Sequence, residues 1–190
     1  MNQPKLIGIY APAPGSGKTT IARYLSNQHN YAVISFATPL KRMMAQFLIS
    51  MGITSREEIE DLLTVRKETL LPGLNISPRQ LMQTLGNEWG RECINKDVWL
   101  RAWERTTDRY LELNLNVVCD DIRYENEANL IKIKGGELWR VDRNEAQVLH
   151  SHSSEGQLDH YNDWDCVIKN NHTETDLEGS VFDLLNPLSV

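Results

Sequence analysis

The sequence predicts an α/β fold in which a parallel β-sheet is flanked by helices. Short apolar runs alternate with segments of helical periodicity, an order typical of parallel sheets. Several runs are almost entirely apolar, as expected for strands that are buried on both faces. The predicted strands are Leu6–Ala11, Ala32–Phe36, Leu115–Asp120, Glu137–Val141 and Trp164–Ile168.

The composition fits one soluble globular domain. The chain has 190 residues, of which 41% are hydrophobic and 24% charged. A net charge of -6 argues against a whole surface built for nucleic acid or acidic membranes, although it leaves a local basic patch open. The polar N-terminus does not resemble a signal peptide, and no apolar run approaches the roughly 20 residues of a membrane span.

The cysteines and helix-start signals give further expectations. Cys93, Cys119 and Cys166 are widely spaced, which predicts reduced thiols and a cytoplasmic location, with Cys119 and Cys166 in the core. Capping boxes predict helices that begin at Ser55 and at Ser77, and Gly86 is expected to end the second of these. A longer helix is predicted from Asp97 to the turn at Asn114, and an earlier helix is predicted to bury the face formed by Leu40, Met43, Met44, Phe47, Leu48 and Met51.

Two stretches exceed what a plain crossover between strands needs. Residues 39–114 are mostly helical by pattern and predict an insertion over one end of the sheet, where a substrate could bind. Residues 144–163 form a long polar loop that predicts a lid. The loop contains His150, His152 and His160, whose spacing favours polar lid residues over a metal cluster.

The strongest motif is the run Pro14–Thr20, which follows a strand and opens a helix as a P-loop does. Its glycines let backbone N–H groups surround phosphate oxygens, Lys18 can reach the β- and γ-phosphates, and Thr19 can ligate magnesium. A plain glycine-rich turn is the alternative. Pro12 stands where the usual pattern has its first glycine, so the loop entrance lacks one N–H donor. The residues assigned to nucleotide binding are Gly15, Ser16, Gly17, Lys18, Thr19 and Thr20.

A second motif is the apolar strand that ends in Asp120 and Asp121, downstream of the P-loop. It resembles a Walker B element, whose carboxylate holds magnesium through water or steers the acceptor. Arg123 could neutralise phosphate charge. The alternative is an acidic turn that caps a helix beginning near Glu125.

Taken together, these segments resemble the phage-type deoxynucleoside monophosphate kinases, a branch of the P-loop nucleotide kinases. The resemblance covers nearly the whole chain. It rests on the P-loop and on Phe36–Lys41, Pro78–Gly86, Glu88–Arg91, Asp121–Ala128, His152–Glu155 and Asp165–Ile168.

The resemblance implies a nucleoside-kinase-like sheet, ATP as the phosphoryl donor and a monophosphate site in the helical insertion. It matches Asp121 to the family's strand-end aspartate, so that Thr19 and Asp121 would hold Mg²⁺. Many family members have aspartate after the P-loop lysine, where this chain has Thr19.

Basic residues supply the candidates for phosphate contact. Arg79 and Arg91 are assigned to the acceptor because guanidinium groups pair bidentately with phosphate. A surface ion pair with Glu88 or Glu92 is the alternative. The full set assigned to the acceptor is Lys41, Arg42, Arg79, Glu88 and Arg91, with a solvated helix face as the alternative for Lys41 and Arg42.

Two further assignments concern the lid and the tryptophans. Arg143 is assigned to the transferring phosphoryl group, whereas Arg140 is expected to face solvent. Trp99 and Trp103 are one helical turn apart and predict core packing, while Trp89 is a candidate for the pocket.

The resulting hypothesis is ATP-dependent phosphorylation of a deoxynucleoside monophosphate to the diphosphate, in the cytoplasm, or in the host cytoplasm if the protein is viral. The catalytic residues would be Lys18, Asp121, Arg123 and Arg143. The first alternative is a kinase of the same fold that acts on hydroxymethyluracil in phage DNA, the only case in which DNA would be a partner. The second is a nucleotide-dependent switch ATPase. No membrane partner is expected, and the sequence allows a homodimer.

Overall fold

The computed structural model describes residues 5–144 and 157–187. Of these, the residues up to Ser35 and from Arg105 onward form one compact unit, called the P-loop unit below. Phe36–Glu104 form the other, called the helical unit. The helical unit overlaps the stretch 39–114 that the sequence sets apart as an insertion.

The P-loop unit contains a five-stranded sheet in the order β2-β3-β1-β4-β5. Every neighbouring pair is parallel. All the predicted strands are present, with ends shifted by a few residues, and the predicted α/β class is confirmed. The strands are β1 (Leu6–Tyr10), β2 (Tyr31–Val33), β3 (Asn116–Cys119), β4 (Glu137–Asp142) and β5 (Cys166–Lys169).

Helices account for most of the remaining described chain. None of them is long and apolar enough to cross a membrane. The α-helix α4 ends at Thr84, close to Gly86 as predicted, but the chain continues as a π-helix, Leu85–Ile94, so Gly86 does not end the helical segment. The α-helices are α1 (Lys18–His29), α2 (Thr38–Ser50), α3 (Arg56–Thr64), α4 (Pro78–Thr84), α5 (Val98–Glu112), α6 (Glu125–Ile133) and α7 (Glu174–Leu185).

The middle of β1 is packed so closely that only glycine fits there. A Cβ on Gly8 would lie 2.4 Å from Ile122 and 2.5 Å from Ile131. On the other face, Ile7 and Ile9 are fully buried in a cluster that includes residues of α1 and α7. The covered sheet holds the carboxyl ends of β1 and β3 side by side, and ligands of open parallel sheets bind at such ends.

The helical unit has its own apolar cluster. Met44 and Leu48 of α2 are buried against leucines and an isoleucine of α3. Met43 is 41% exposed and Phe47 39% exposed, so the prediction that the whole methionine-rich face is core is wrong for these two. The buried stripe of α2 is therefore narrower than predicted.

Hydroxyl side chains cap two helices of this unit where the sequence predicts. Ser77 Oγ accepts from Gln80 N at 3.3 Å, while Gln80 Oε1 accepts from Ser77 N at 3.1 Å, so the predicted capping box is confirmed. Ser55 Oγ accepts from Glu58 N at 3.3 Å, but its own hydroxyl donates to Glu57. These caps fix where α3 and α4 begin.

Candidate functional site

The loop between β1 and α1 has the backbone shape of an anion cradle. Gly15 and Gly17 adopt φ angles of 75° and 106°, a left-handed region that favours glycine. Ser16 is buried, and its Oγ donates to the Ala13 carbonyl at 2.8 Å, which closes the turn. The strand–loop–helix context that the motif requires is therefore present, with Lys18 at the first position of α1.

The N-terminus of α1 differs from the N-termini of several other helices. Ser55, Ser77 and Thr173 each accept a backbone N–H at the start of their helices. For α1, by contrast, no side chain among the described residues caps the helix at Gly17. Its first-turn N–H groups and its positive dipole end can therefore serve a bound anion, which fits phosphate.

At the end of β3, it is Asp120 whose carboxylate reaches the P-loop. Its Oδ2 lies 3.5 Å from Thr19 Oγ1, and its Oδ1 accepts from Ser35 Oγ at 2.7 Å. The next residue, Asp121, accepts from Cys119 Sγ at 3.3 Å. The structure thus brings Thr19 together with Asp120, whereas the family resemblance had paired Thr19 with Asp121.

The Cys119–Asp121 contact is that of a neutral thiol with a carboxylate. Burial, together with the charge of Asp121, raises the pKa of the fully buried Cys119 thiol well above its ordinary value. The thiol therefore stays protonated at neutral pH and donates to Asp121.

The donor atoms beside the P-loop suit magnesium. Thr19 and Asp120 offer oxygen ligands, which Mg²⁺ prefers, and magnesium usually keeps several waters and takes further ligands from substrate phosphates. Across the part of the chain that the structure describes, no group of three or more histidine, cysteine or acidic side chains could hold a metal by itself. The site fits a metal that is shared with phosphates.

The carboxylate that caps α6 belongs to Glu127, whereas the alternative in the sequence analysis gave this role to the turn that contains Asp120 and Asp121. Glu127 is 2% exposed, and its Oε2 accepts from Arg123 N at 2.9 Å and from Tyr124 N at 3.2 Å. Asp120 and Asp121 are thus not needed for that cap. The Arg123 side chain is exposed just beyond the strand end.

The two arginines at the end of β4 have different contacts. Arg143 Nη1 donates to the Gly15 carbonyl at 3.2 Å, so the structure brings this predicted residue to the P-loop. Arg140 donates to Asp142 at 2.8 Å and is partly buried.

The residues assigned to the acceptor all lie in the helical unit. Lys41 and Arg42 are in α2, where Lys41 is partly buried and Arg42 exposed. Arg79 of α4 pairs with Glu68, whereas the alternative to phosphate contact named an ion pair with Glu88 or Glu92.

Arg91 and Glu88 lie on the π-helix, a geometry that is frequent at functional sites. Arg91 Nη1 donates to the Lys96 carbonyl at 3.4 Å, and Glu88 accepts from Thr84 Oγ1 at 3.4 Å.

Tryptophans support the π-helix from one side. Trp99 is buried, and its Nε1 donates to the Gly86 carbonyl at 2.7 Å. A Cβ on Gly90 would lie 2.6 Å from the Trp99 ring, so glycine permits this close packing. Trp103 is fully buried, and the predicted core packing of both tryptophans is confirmed. Trp89 is 42% exposed on the same segment.

Comparison with known proteins identifies the family. The family model described as "Deoxynucleotide monophosphate kinase" matches residues 50–181. The chain belongs to this family. A relative from Acanthamoeba polyphaga mimivirus, "Putative deoxynucleotide monophosphate kinase", is 30% identical over 178 residues, which is 88% of this chain and 89% of the relative. The "Deoxynucleoside-5'-monophosphate kinase" of Escherichia phage T5 is 32% identical over 73 residues, 38% of this chain and 28% of its own.

Solved structures agree with this deoxynucleotide monophosphate kinase family member in fold. Dephospho-CoA kinase from Campylobacter jejuni superposes with a TM-score of 0.55 at 14% identity, over 97% of each chain. TT1252 from Thermus thermophilus gives a TM-score of 0.52 at 19% identity, over 100% of each chain. These likenesses establish the architecture alone.

The predicted lid of this family member is described only at its ends. Residues 145–156, with His150 and His152, lie outside the described residues. Leu158 is fully buried, and Asp159 accepts from Tyr10 Oη at 2.7 Å, so the end of the loop is attached to β1. His160 is exposed.

Residues far from the motif also contact the P-loop region, and the sequence analysis missed them. Ser35 follows β2 and holds Asp120, while Asn170 follows β5 and donates to the Ser16 carbonyl at 2.9 Å. Both are polar residues that lie within two positions of the end of a strand in the parallel sheet, where ligands of such sheets bind.

Proposed function

We propose that the protein transfers the γ-phosphoryl group of ATP to a deoxynucleoside monophosphate, which gives the diphosphate. The observation that carries the proposal is the meeting of Lys18, Thr19 and Asp120 at one edge of the sheet in a chain of this family. Phosphoryl transfer needs little covalent help from a protein, so positioned charges and N–H groups are the expected machinery.

The donor is assigned to the P-loop unit. The N–H groups of Gly15–Thr20 bind the phosphates, and Lys18 supplies a positive charge to the oxygens of the transferring group. Arg143, which contacts Gly15 O, can move a guanidinium from this carbonyl to the same oxygens. Arg123 is assigned to the developing charge from the exposed turn after β3.

Magnesium, when bound, neutralises charge on the β- and γ-phosphates. The 3.5 Å separation between Thr19 Oγ1 and Asp120 Oδ2 supports these two residues as its protein-side ligands, with Asp120 acting directly or through water. Asp121 is the competing assignment, which the resemblance favours. In the geometry, Asp121 supports the strand end through Cys119.

The acceptor is assigned to the helical unit. Arg79 and Arg91 can exchange their present partners, Glu68 and the Lys96 carbonyl, for phosphate oxygens, because both contacts lie at the surface. A guanidinium pairs bidentately with phosphate as well as with carboxylate, and a monophosphate carries about two negative charges where a carboxylate carries one. Lys41, Arg42 and Glu88 complete the set.

The direct test is identification of the product. The protein is incubated with γ-labelled ATP and each deoxynucleoside monophosphate, and separately with DNA that contains thymine or hydroxymethyluracil. The proposal predicts label in a deoxynucleoside diphosphate. Label that appears only in modified DNA would overturn it in favour of the DNA kinase. Release of free phosphate with no labelled acceptor would indicate a switch ATPase instead.

Location and assembly are further parts of this proposal. The viral relatives and the free cysteines support action in the cytoplasm, the host's if the protein is viral. A homodimer would be tested by the mass of the protein in solution.

A further inference from the structure

Asn170 is a buried polar residue that contacts the P-loop from across the sheet. It directly follows β5 and is 8% exposed. Its backbone N donates to the Asp142 carbonyl at 2.8 Å, which anchors the residue to the end of β4. Its side-chain Nδ2 donates to the Ser16 carbonyl at 2.9 Å, so it bonds directly to the loop.

This bond fixes the direction of a peptide group. A trans peptide is planar, and its C=O and N–H point in opposite directions. When Asn170 holds the Ser16 carbonyl, the N–H of Gly17 is directed away from Asn170. That N–H belongs to the loop to which phosphate binding is assigned.

Because Gly17 has no side chain, Asn170 can approach the loop closely. A Cβ at this position would lie 2.6 Å from Asn170 Nδ2 and 3.0 Å from Leu177. Its φ of 106° is also rarely adopted by residues that carry a side chain. The glycine therefore serves the contact with Asn170 as well as the turn.

The Arg143 side chain orients the preceding peptide, Gly15–Ser16, in the same way. Arg143 holds the Gly15 carbonyl, which directs the N–H of Ser16 to the opposite side. Arg143 is exposed, whereas Asn170 is buried. Of the two supports, Asn170 is therefore the one that is shielded from water.

We propose that Asn170 is a positioning residue that orients the Ser16–Gly17 peptide, so that the Gly17 N–H faces the phosphates of the donor nucleotide. The proposal rests on the function proposed above, in which the P-loop binds the donor. A preorganised N–H donor costs no reorganisation when the anion binds, so loss of the support should weaken donor binding.

The test uses the isosteric change Asn170→Asp. A charged carboxylate faces the Ser16 carbonyl with no donor, so the peptide loses its support and meets repulsion instead. When this carboxyl is protonated, it regains an O–H that can donate to the same carbonyl. ATP binding should therefore recover as the pH falls, while binding of the monophosphate stays unchanged throughout; a merely structural role would affect both ligands.

The matched control is Asn171→Asp, which adds the same charge one residue away. Asn171 is exposed, and its Oδ1 accepts from Asn144 N at 2.9 Å, an interaction that a carboxylate keeps. Dissociation constants for ATP, and separately for a deoxynucleoside monophosphate, are measured by calorimetry for the wild type and both variants. The series runs from about pH 8 to about pH 4.5, because burial against a carbonyl is expected to raise the pKa of the introduced carboxyl above the ordinary Asp value of about 3.9.

The expected result at about pH 8 is ATP binding weakened by about tenfold or more in Asn170→Asp relative to Asn171→Asp. The ratio should fall toward one at low pH, and monophosphate binding should not change. Equal ATP affinity of the two variants at high pH would overturn the proposal. Weakened ATP binding that does not recover at low pH would also overturn it, and equal weakening of both ligands would overturn it in favour of a general structural role.

Two further variants keep the outcome decisive. If Asn170→Asp does not fold, Asn170→Ala removes the donor without adding charge, and wild-type ATP affinity in that variant would overturn the proposal. Lys18→Ala separates the two claims. If Lys18→Ala loses ATP binding while the Asn170 variants bind normally, the function stands and the positioning role falls. If Lys18→Ala also binds normally, the P-loop assignment itself fails.

Discussion

The P-loop unit and the helical unit hold their candidate residues in different ways. In the P-loop unit, Thr19 and Asp120 meet although 101 residues separate them. In the helical unit, Arg79 contacts Glu68, and Arg91 contacts the Lys96 carbonyl, each within a short stretch of chain. A parallel sheet gathers distant residues at the ends of its strands, whereas helices leave charged side chains with local partners. Under the roles proposed above, the donor side is built in advance, while the acceptor side exchanges partners when it binds.

The largest effect is expected at the P-loop. Lys18→Ala should lower turnover by on the order of a thousandfold, because the charge that accompanies the transferring group is removed. Steady-state turnover is compared with that of Lys169→Ala, which removes an exposed lysine from β5. Near-normal transfer by Lys18→Ala would break the assignment of the donor to this unit.

The next effect distinguishes two neighbouring carboxylates. Asp120→Asn should raise the magnesium concentration needed for half-maximal rate by on the order of 10- to 100-fold, since its carboxylate lies beside Thr19. Asp121→Asn should change it much less. Both variants are also titrated by thermal shift with ATP in the presence and absence of Mg²⁺. A stronger effect at Asp121 in both measurements would restore the assignment that the family resemblance gave.

A smaller effect is expected in the helical unit. Arg79→Ala should weaken monophosphate binding by about 1.5–3 kcal/mol, because one charge-assisted contact is lost, and should leave ATP binding nearly intact. Steady-state kinetics should show this as a raised KM for the monophosphate. Arg66→Ala is the control, because Arg66 is also half-exposed in this unit and pairs with an acidic neighbour, Asp61. Equal effects of the two variants would mean that Arg79 only forms a surface ion pair.

The smallest effect concerns stability. Ser77→Ala should lower the free energy of unfolding by about 1 kcal/mol, since it removes one half of a complete capping box. Ser55→Ala should cost less, because the Ser55 side chain is exposed and its hydroxyl also turns to Glu57. Urea unfolding measures both, and a larger loss for Ser55→Ala would contradict this ranking.

The sequence predicted best where local chemistry decides the structure. The P-loop, the strands and the box at Ser77 each depend on a few neighbouring residues. The continuation of α4 into a π-helix escaped prediction; there Trp99 donates to the Gly86 carbonyl from 13 positions away, a contact that no local pattern shows. The contacts of Ser35 and Asn170 escaped for the same reason, since tertiary pairing decides which strand-end residues meet.

The division between donor and acceptor regions is tested most directly by titrating two variants with two ligands. Lys18→Ala and Arg79→Ala are each titrated in a calorimeter with ATP and, separately, with a deoxynucleoside monophosphate. The account predicts that Lys18→Ala loses affinity for ATP and keeps the monophosphate, while Arg79→Ala does the reverse. If either variant weakens both ligands equally, or if the two losses fall on the opposite ligands, the division of roles between the two units is wrong.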